Sequence, residues 1–193
     1  GDLYPLDVSG PDGVPDGIID DEYDRVVVGS TDPKFYGGFS TDLSYKGLSL
    51  NLVFNYSYGA KKLSSLYETM IGSTGSSLAS VDLLDRWTPE NTDAKFPRPM
   101  YQDGNDPAPS YNTFSASQMD FSVQKASFLR LSTMTLSYTL PKTIVNTLKL
   151  DNLRVYGTAS NVFCLTPYKG YDPEMGDWYP PTRMFVFGLN VSF

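Results

Sequence analysis

The sequence predicts an all-β fold, an antiparallel transmembrane β-barrel segment of about five strands joined by long loops. Three observations predict it. Hydrophobicity alternates with period two along several runs of strand length. The composition favours strands and turns over helices, with 14 Tyr and 11 Phe beside 16 Gly and 14 Pro in 193 residues. The links between the runs also sort by length, short ones at one end of the sheet and long ones at the other.

Taken in order, residues 1–34 form an acidic, Gly/Pro-rich tract that reads as a loop. The first strand, at about 35–46, carries Phe35, Phe39, Leu43 and Tyr45 on one face and Ser40, Asp42 and Ser44 on the other. Lys46-Gly47 reads as a tight hairpin, with Gly47 supplying a positive φ. The second strand, at about 48–59, is the clearest. Leu48, Leu50, Leu52, Phe54, Tyr56 and Tyr58 alternate with Ser49, Asn51, Val53, Asn55 and Ser57, with no charge in the run. A strand of that kind separates two different solvents. A long loop, 60–126, follows.

The third strand, at about 127–140, carries Met134, Leu136, Tyr138 and Leu140 on one face. A modest link, 141–151, leads to the fourth at about 152–163, where Leu153, Val155 and Ala159 oppose Arg154, Tyr156, Thr158 and Ser160. A second long loop, 164–181, precedes the last strand at about 182–193, with Arg183, Phe185, Phe187, Leu189, Val191 and Phe193 sharing a face. With antiparallel neighbours, the short links fall at one end and the long ones at the other. Outer-membrane barrels sort their links in this way. Each strand is near the roughly 9–11 tilted residues that cross a hydrocarbon core.

Several classes are excluded. No apolar run reaches the roughly 20 residues of a membrane helix, although barrel strands escape that test. The chain has no His and one Cys, Cys164, which rules out His catalysis, imidazole metal sites and an internal disulfide. A net charge of -7 argues against a nucleic-acid partner. Asp85 and Glu90 are paired acids of the kind glycosidases use, but nothing fixes their separation. No enzyme activity is expected.

Five strands cannot close a barrel, and an open edge in lipid leaves backbone groups unpaired at several kcal/mol each. The remaining strands are expected outside this sequence. The alternative is a soluble secreted β-sandwich acting as a carbohydrate-binding module, its apolar faces turned into a core. A barrel piece needs detergent; a sandwich does not.

A set of motifs in fixed order then resembles a known family. Asp16-Gly17-Ile18-Ile19-Asp20 is followed by Val28-Gly29 and by Asp32-Pro33 ahead of a strand. Arg86-Trp87-Thr88-Pro89-Glu90-Asn91 is trailed by Phe96-Pro97-Arg98. Ser127-Phe128-Leu129-Arg130-Leu131 opens a strand that Leu136-Ser137-Tyr138-Thr139-Leu140-Pro141 ends. Asn161-Val162-Phe163, Gly170-Tyr171-Asp172-Pro173-Glu174 and Tyr179-Pro180 through Phe193 complete the series. In this the chain resembles, along nearly its whole length, the C-terminal region of the SusC/RagA-type TonB-linked outer-membrane proteins of Bacteroidetes.

The resemblance implies the last strands of a barrel of about 22 strands, with an N-terminal plug. It implies import of oligosaccharides or peptides, opening by TonB through the missing N-terminal region, and a SusD-like surface lipoprotein as lid. The setting would be the outer membrane, with the C-terminus periplasmic and the long loops extracellular. Phe193 would then be the terminal assembly signal and the true end of the parent protein. Gly1, with no initiator Met or signal peptide, would be a cut end.

Candidate sites follow. Asp12, Asp16, Asp20 and Asp24 suggest a calcium loop, since counting from Asp12 places Asp16 at five, Gly17 at six and Asp20 at nine. Position three is Val14, however, and position twelve is Tyr23. The family pattern Asp-x-Asn-Gly-Asp-Gly is interrupted here by Pro11 to Pro15. The other reading is a solvated acidic turn. Arg86, Trp87, Tyr171 and Trp178 are candidates for ligand or lid contact, set against simple packing of the loops. Tyr36, Tyr45, Tyr56, Tyr58 and Tyr138, near strand ends, suit an interfacial aromatic girdle.

Overall fold

The computed structural model describes residues 5–71, 78–97 and 120–193. One five-stranded antiparallel sheet organises it, in the order β1-β2-β5-β6-β7. The strands are β1 (Phe35–Tyr45), β2 (Leu48–Tyr58), β5 (Phe128–Thr139), β6 (Asn152–Leu165) and β7 (Met184–Ser192). Two short strands, β3 (Lys61–Leu63) and β4 (Val123–Lys125), form a separate ladder. Lys46 and Gly47 at the β1–β2 hairpin both have positive φ, 48° and 85°, which is the primed-turn geometry that twists with the strands.

The register sorts the side chains by solvent. Phe39 faces Phe54, Leu43 faces Leu50, Leu50 faces Leu136, and Val155 faces Leu189. The Phe39 and Phe54 rings stack at 4.7 Å, a cross-strand pair that fixes register. Opposite this apolar face, Asn51 donates to Asp42 at 2.8 Å, Thr135 and Thr158 share a hydrogen bond, and Arg154 donates to Ser137. The apolar face is not turned into a core. Phe39, Leu43, Leu136, Phe185, Phe187 and Leu189 are all exposed, Phe187 at 83%. A soluble sandwich would bury this face; a lipid-facing wall leaves it bare.

Two irregularities bend the sheet. Ser132 in β5 has no opposite number in β2, and Asn161 in β6 takes φ 51°. Asn tolerates this left-handed geometry better than most residues, and extra residues of this kind mark bulges. Beyond Asn161, β6 continues to Leu165, past the expected end at 163. The last strand starts at Met184 rather than 182, because Thr182 and Arg183 are turned to Asn161. Thr182 accepts from the Asn161 side chain at 2.9 Å, and Arg183 Nε donates to the Asn161 carbonyl.

The chain divides into two compact units, 30–61 with 125–193 and 1–29 with 62–124. β1 begins at Phe35, where the first strand was expected, and residues 30–34 fall in the same unit as the sheet. The stretch 60–126, expected as one loop, holds regular elements. It holds β3, β4, the helix α1 (Ser65–Ile71) and a 3-10 turn at Val81–Asp85. Ser64 caps α1 by accepting the Tyr67 amide at 3.1 Å. Tyr67, Ile71, Leu83 and Phe96 bury one another, so sparse apolar residues with no period build a small core of their own. Burial, followed by a hydrogen bond to Asp82, raises the Tyr67 phenol well above its usual range.

Candidate functional site

The structure brings two of the sequence motifs together at the start of the 164–181 loop. Thr166 Oγ1 donates to the Ser127 carbonyl at 2.8 Å and accepts the Tyr168 amide. Tyr168 is buried with Ala60 and Ala126, and its hydroxyl donates to Asp177. A side chain at Gly170 would run into the Tyr168 ring. The chain then turns back on itself. Asp172 and Gly176 exchange backbone hydrogen bonds at 3.3 and 2.7 Å, with Gly176 at φ 70°. Asp172 Oδ1 accepts the amides of Glu174 and Met175 at 2.9 and 3.1 Å. This is a turn closed by its own aspartate.

Beneath it stands Arg130 of β5, on the polar face opposite Asn55 and Cys164. Arg130 Nη2 lies 2.7 Å from Asp172 Oδ2 and 2.9 Å from Glu174 Oε2. The Arg130 and Asp172 side chains are 7% and 5% exposed, so this pair is buried, whereas Glu174 at 47% closes it toward water. The guanidinium also sits over the Phe128 ring. Burial pushes the Asp172 carboxyl up, but the Arg130 hydrogen bond and the Met175 and Glu174 amides outweigh it and hold it below the usual range. Arg130 Nε is buried with no hydrogen-bond partner among the described residues.

The locked turn carries aromatic side chains outward. Tyr171, Trp178 and Tyr179 are 60%, 78% and 80% exposed. Tyr171 and Trp178, both expected as contact residues, thus flank one rigid turn. Arg86 and Trp87 belong to the other compact unit, in a self-contained turn. Trp87 is half-buried, its amide donating to the Phe96 carbonyl, and Arg86 donates to the Leu83 carbonyl. Asn91 ties the motif together through Thr88, Asp85 and the Arg86 carbonyl. Arg98 and Gly1 lie outside the described residues, and Phe193 is exposed just beyond β7.

Three of the four aspartates expected as a calcium loop accept backbone amides. Among the described residues no group of three or more Asp, Glu or Cys converges as a metal site. Asp24 instead gathers the amides of Val8, Ser9 and Asp20, and Asp20 those of Glu22 and Tyr23. Asp16 accepts from Ile18, while Asp12 is exposed. The Asp20, Val8 and Ser9 amides lower the Asp24 carboxyl. Asp7, at the start of the same acidic run, accepts the Gly17 amide at 2.6 Å. In the sequence Arg130 stands out only as the single charge within 128–140.

No protein-family model matches the chain. In sequence it is 29% identical over 187 residues to TonB-dependent receptor P3 of Formosa agariphila, a match covering 88% of this chain and 17% of the receptor. It is 39% identical over 82 residues to TonB-dependent receptor SusC of Bacteroides thetaiotaomicron, covering 38% of this chain and 8% of that one. The fold matches a structure of the RagAB peptide transporter at TM-score 0.67 and 30% identity, over 86% of this chain and 18% of that one. It matches the RagAB peptide importer in its closed-closed state at TM-score 0.70 and 29% identity, over 95% and 20%. The chain spans less than a fifth of the length of the curated relatives it matches. Sequence and sheet together identify it as an antiparallel β-barrel segment homologous to the SusC/RagA-type TonB-dependent receptors.

Proposed function

We propose that this chain is part of the wall and outer loops of a TonB-dependent nutrient importer in the bacterial outer membrane. The observation that carries the reading is the bare apolar face of the five-stranded sheet, backed by a polar face. In a bilayer such a sheet must close with further strands, here those of the rest of the transporter. The likeness to SusC and to the RagAB importer supports the same assignment. The substrates are oligosaccharides or peptides. The partners are the remaining strands and plug, a SusD-like surface lipoprotein, membrane lipid, and TonB acting through another part of the protein.

In this arrangement the Lys46-Gly47 hairpin and the 141–151 link face the periplasm, as does Phe193, the barrel-assembly signal. The 164–181 turn and the Arg86-Trp87 turn face outward, where Tyr171, Trp178 and Trp87 meet ligand or lid. The test uses the full-length parent receptor in its own cells. An epitope inserted after Met175 should be labelled on intact cells, and one in the Lys46-Gly47 hairpin only after permeabilisation. Deleting the parent gene should abolish growth on either an oligosaccharide or a peptide mixture as sole nutrient. Reversed labelling, or recovery of the receptor without detergent, would overturn the proposal.

A further inference from the structure

At the end of the sheet away from the Lys46-Gly47 hairpin, the apolar face is indented. A notch of about 390 Å³ is lined mainly by Phe35, Tyr56, Tyr58, Phe128, Leu165 and Pro167. The register places four of these on the apolar side. Phe35 faces Tyr58, Tyr56 faces Leu129, and Leu129 faces Leu165. The notch is therefore continuous with the face that carries Phe39, Leu43 and Leu136.

Its wall is held in shape. Phe35 stacks on Tyr58 at 4.9 Å and meets Tyr56 edge-on at 6.3 Å, arrangements that aromatic quadrupoles favour. The Tyr56 ring lies over Gly37, where a Cβ would come within 2.9 Å of its hydroxyl. A side chain at that position would have to displace the end of the ring. Two hydroxyls at the rim are already engaged. Thr166 Oγ1 donates to the Ser127 carbonyl, and Ser127 Oγ accepts the Gly59 amide. What the notch offers is apolar surface.

An apolar hollow does not hold ordered water, which needs polar partners, and an unfilled hollow forfeits the dispersion contacts of its lining. On a lipid-facing wall the neighbouring apolar matter is hydrocarbon. We propose that the notch seats one acyl chain of a lipid in the outer leaflet of the membrane. The inference rests on the barrel-wall reading above and adds to it a specific lipid position.

The test takes the full-length receptor in nanodiscs of dipalmitoyl phosphatidylethanolamine, released into mild detergent, with retained lipid counted by native mass spectrometry. One lipid should survive on the unaltered receptor. Leu165→Trp or Tyr58→Trp, which fill the notch, should lower its occupancy about tenfold. Leu43→Trp, on the same face near the hairpin, should leave it unchanged. A phosphatidylethanolamine with a diazirine in its acyl chain should label peptides containing 56–58 and 165–167 in the unaltered receptor, which requires no variant to fold. Labelling that avoids those peptides, equal retention in all variants, or pairing of two receptors through the notch overturns the inference. Loss of the lipid site in a receptor that still needs detergent sinks the notch alone. A receptor soluble without detergent sinks the barrel-wall reading with it.

Discussion

The acidic tract around Asp24 and the turn at Asp172 both use an aspartate to gather backbone amides, but in different surroundings. Asp24 is half-buried in a surface tract and its carboxylate accepts from Val8, Ser9 and Asp20. Asp172 accepts from Glu174 and Met175 with one oxygen and meets buried Arg130 with the other. A carboxylate at the surface keeps contact with water, so its amide bonds replace water at little gain. A buried one must be matched, because an unpaired charge out of water is costly. The same residue type therefore shapes a surface turn in one place and anchors a loop to the sheet in the other.

The largest effect should come from removing the anchor. Arg130→Met strands Asp172, and breaking a buried pair on one side costs roughly 3–5 kcal/mol. In the full-length receptor this should appear as a lower urea midpoint and as proteolysis within 166–179. Acidification should act next. Because the Asp172 carboxyl is held below its usual range, its contribution is fully present above the ordinary carboxylate pKa of about 4 and fades as pH falls through the lowered value. Pepsin should leave 166–179 intact near pH 4 and cut it at lower pH. Cleavage that begins well above pH 4 would contradict the pairing.

Glu174→Gln should cost much less, about 0.5 kcal/mol, because this half-exposed partner is screened by solvent. A loss as large as that of Arg130→Met would show that Glu174, not Asp172, anchors the turn. Asp24→Ala should do least to overall stability. It should speed amide exchange only at Val8, Ser9 and Asp20, measured by hydrogen exchange. Added calcium should not slow exchange at these amides, since Asp20 and Asp24 already accept from the backbone.

Local rules account for what the sequence alone determined. Period-two alternation in Leu48–Tyr58 declares a strand and its two faces, and Lys46-Gly47 declares a hairpin, because both signals reach only a few residues. The sorting of short and long links to opposite ends of the sheet, with aromatic residues near the strand ends, points to lipid. Tertiary structure decided the rest. Arg130 and Asp172 stand 42 residues apart, and no spacing rule joins a strand residue to a loop residue at that distance. The cluster of Tyr67, Ile71, Leu83 and Phe96 was hidden for a related reason. A small core gathered from short turns has no period, and its members find one another only when the chain has folded back.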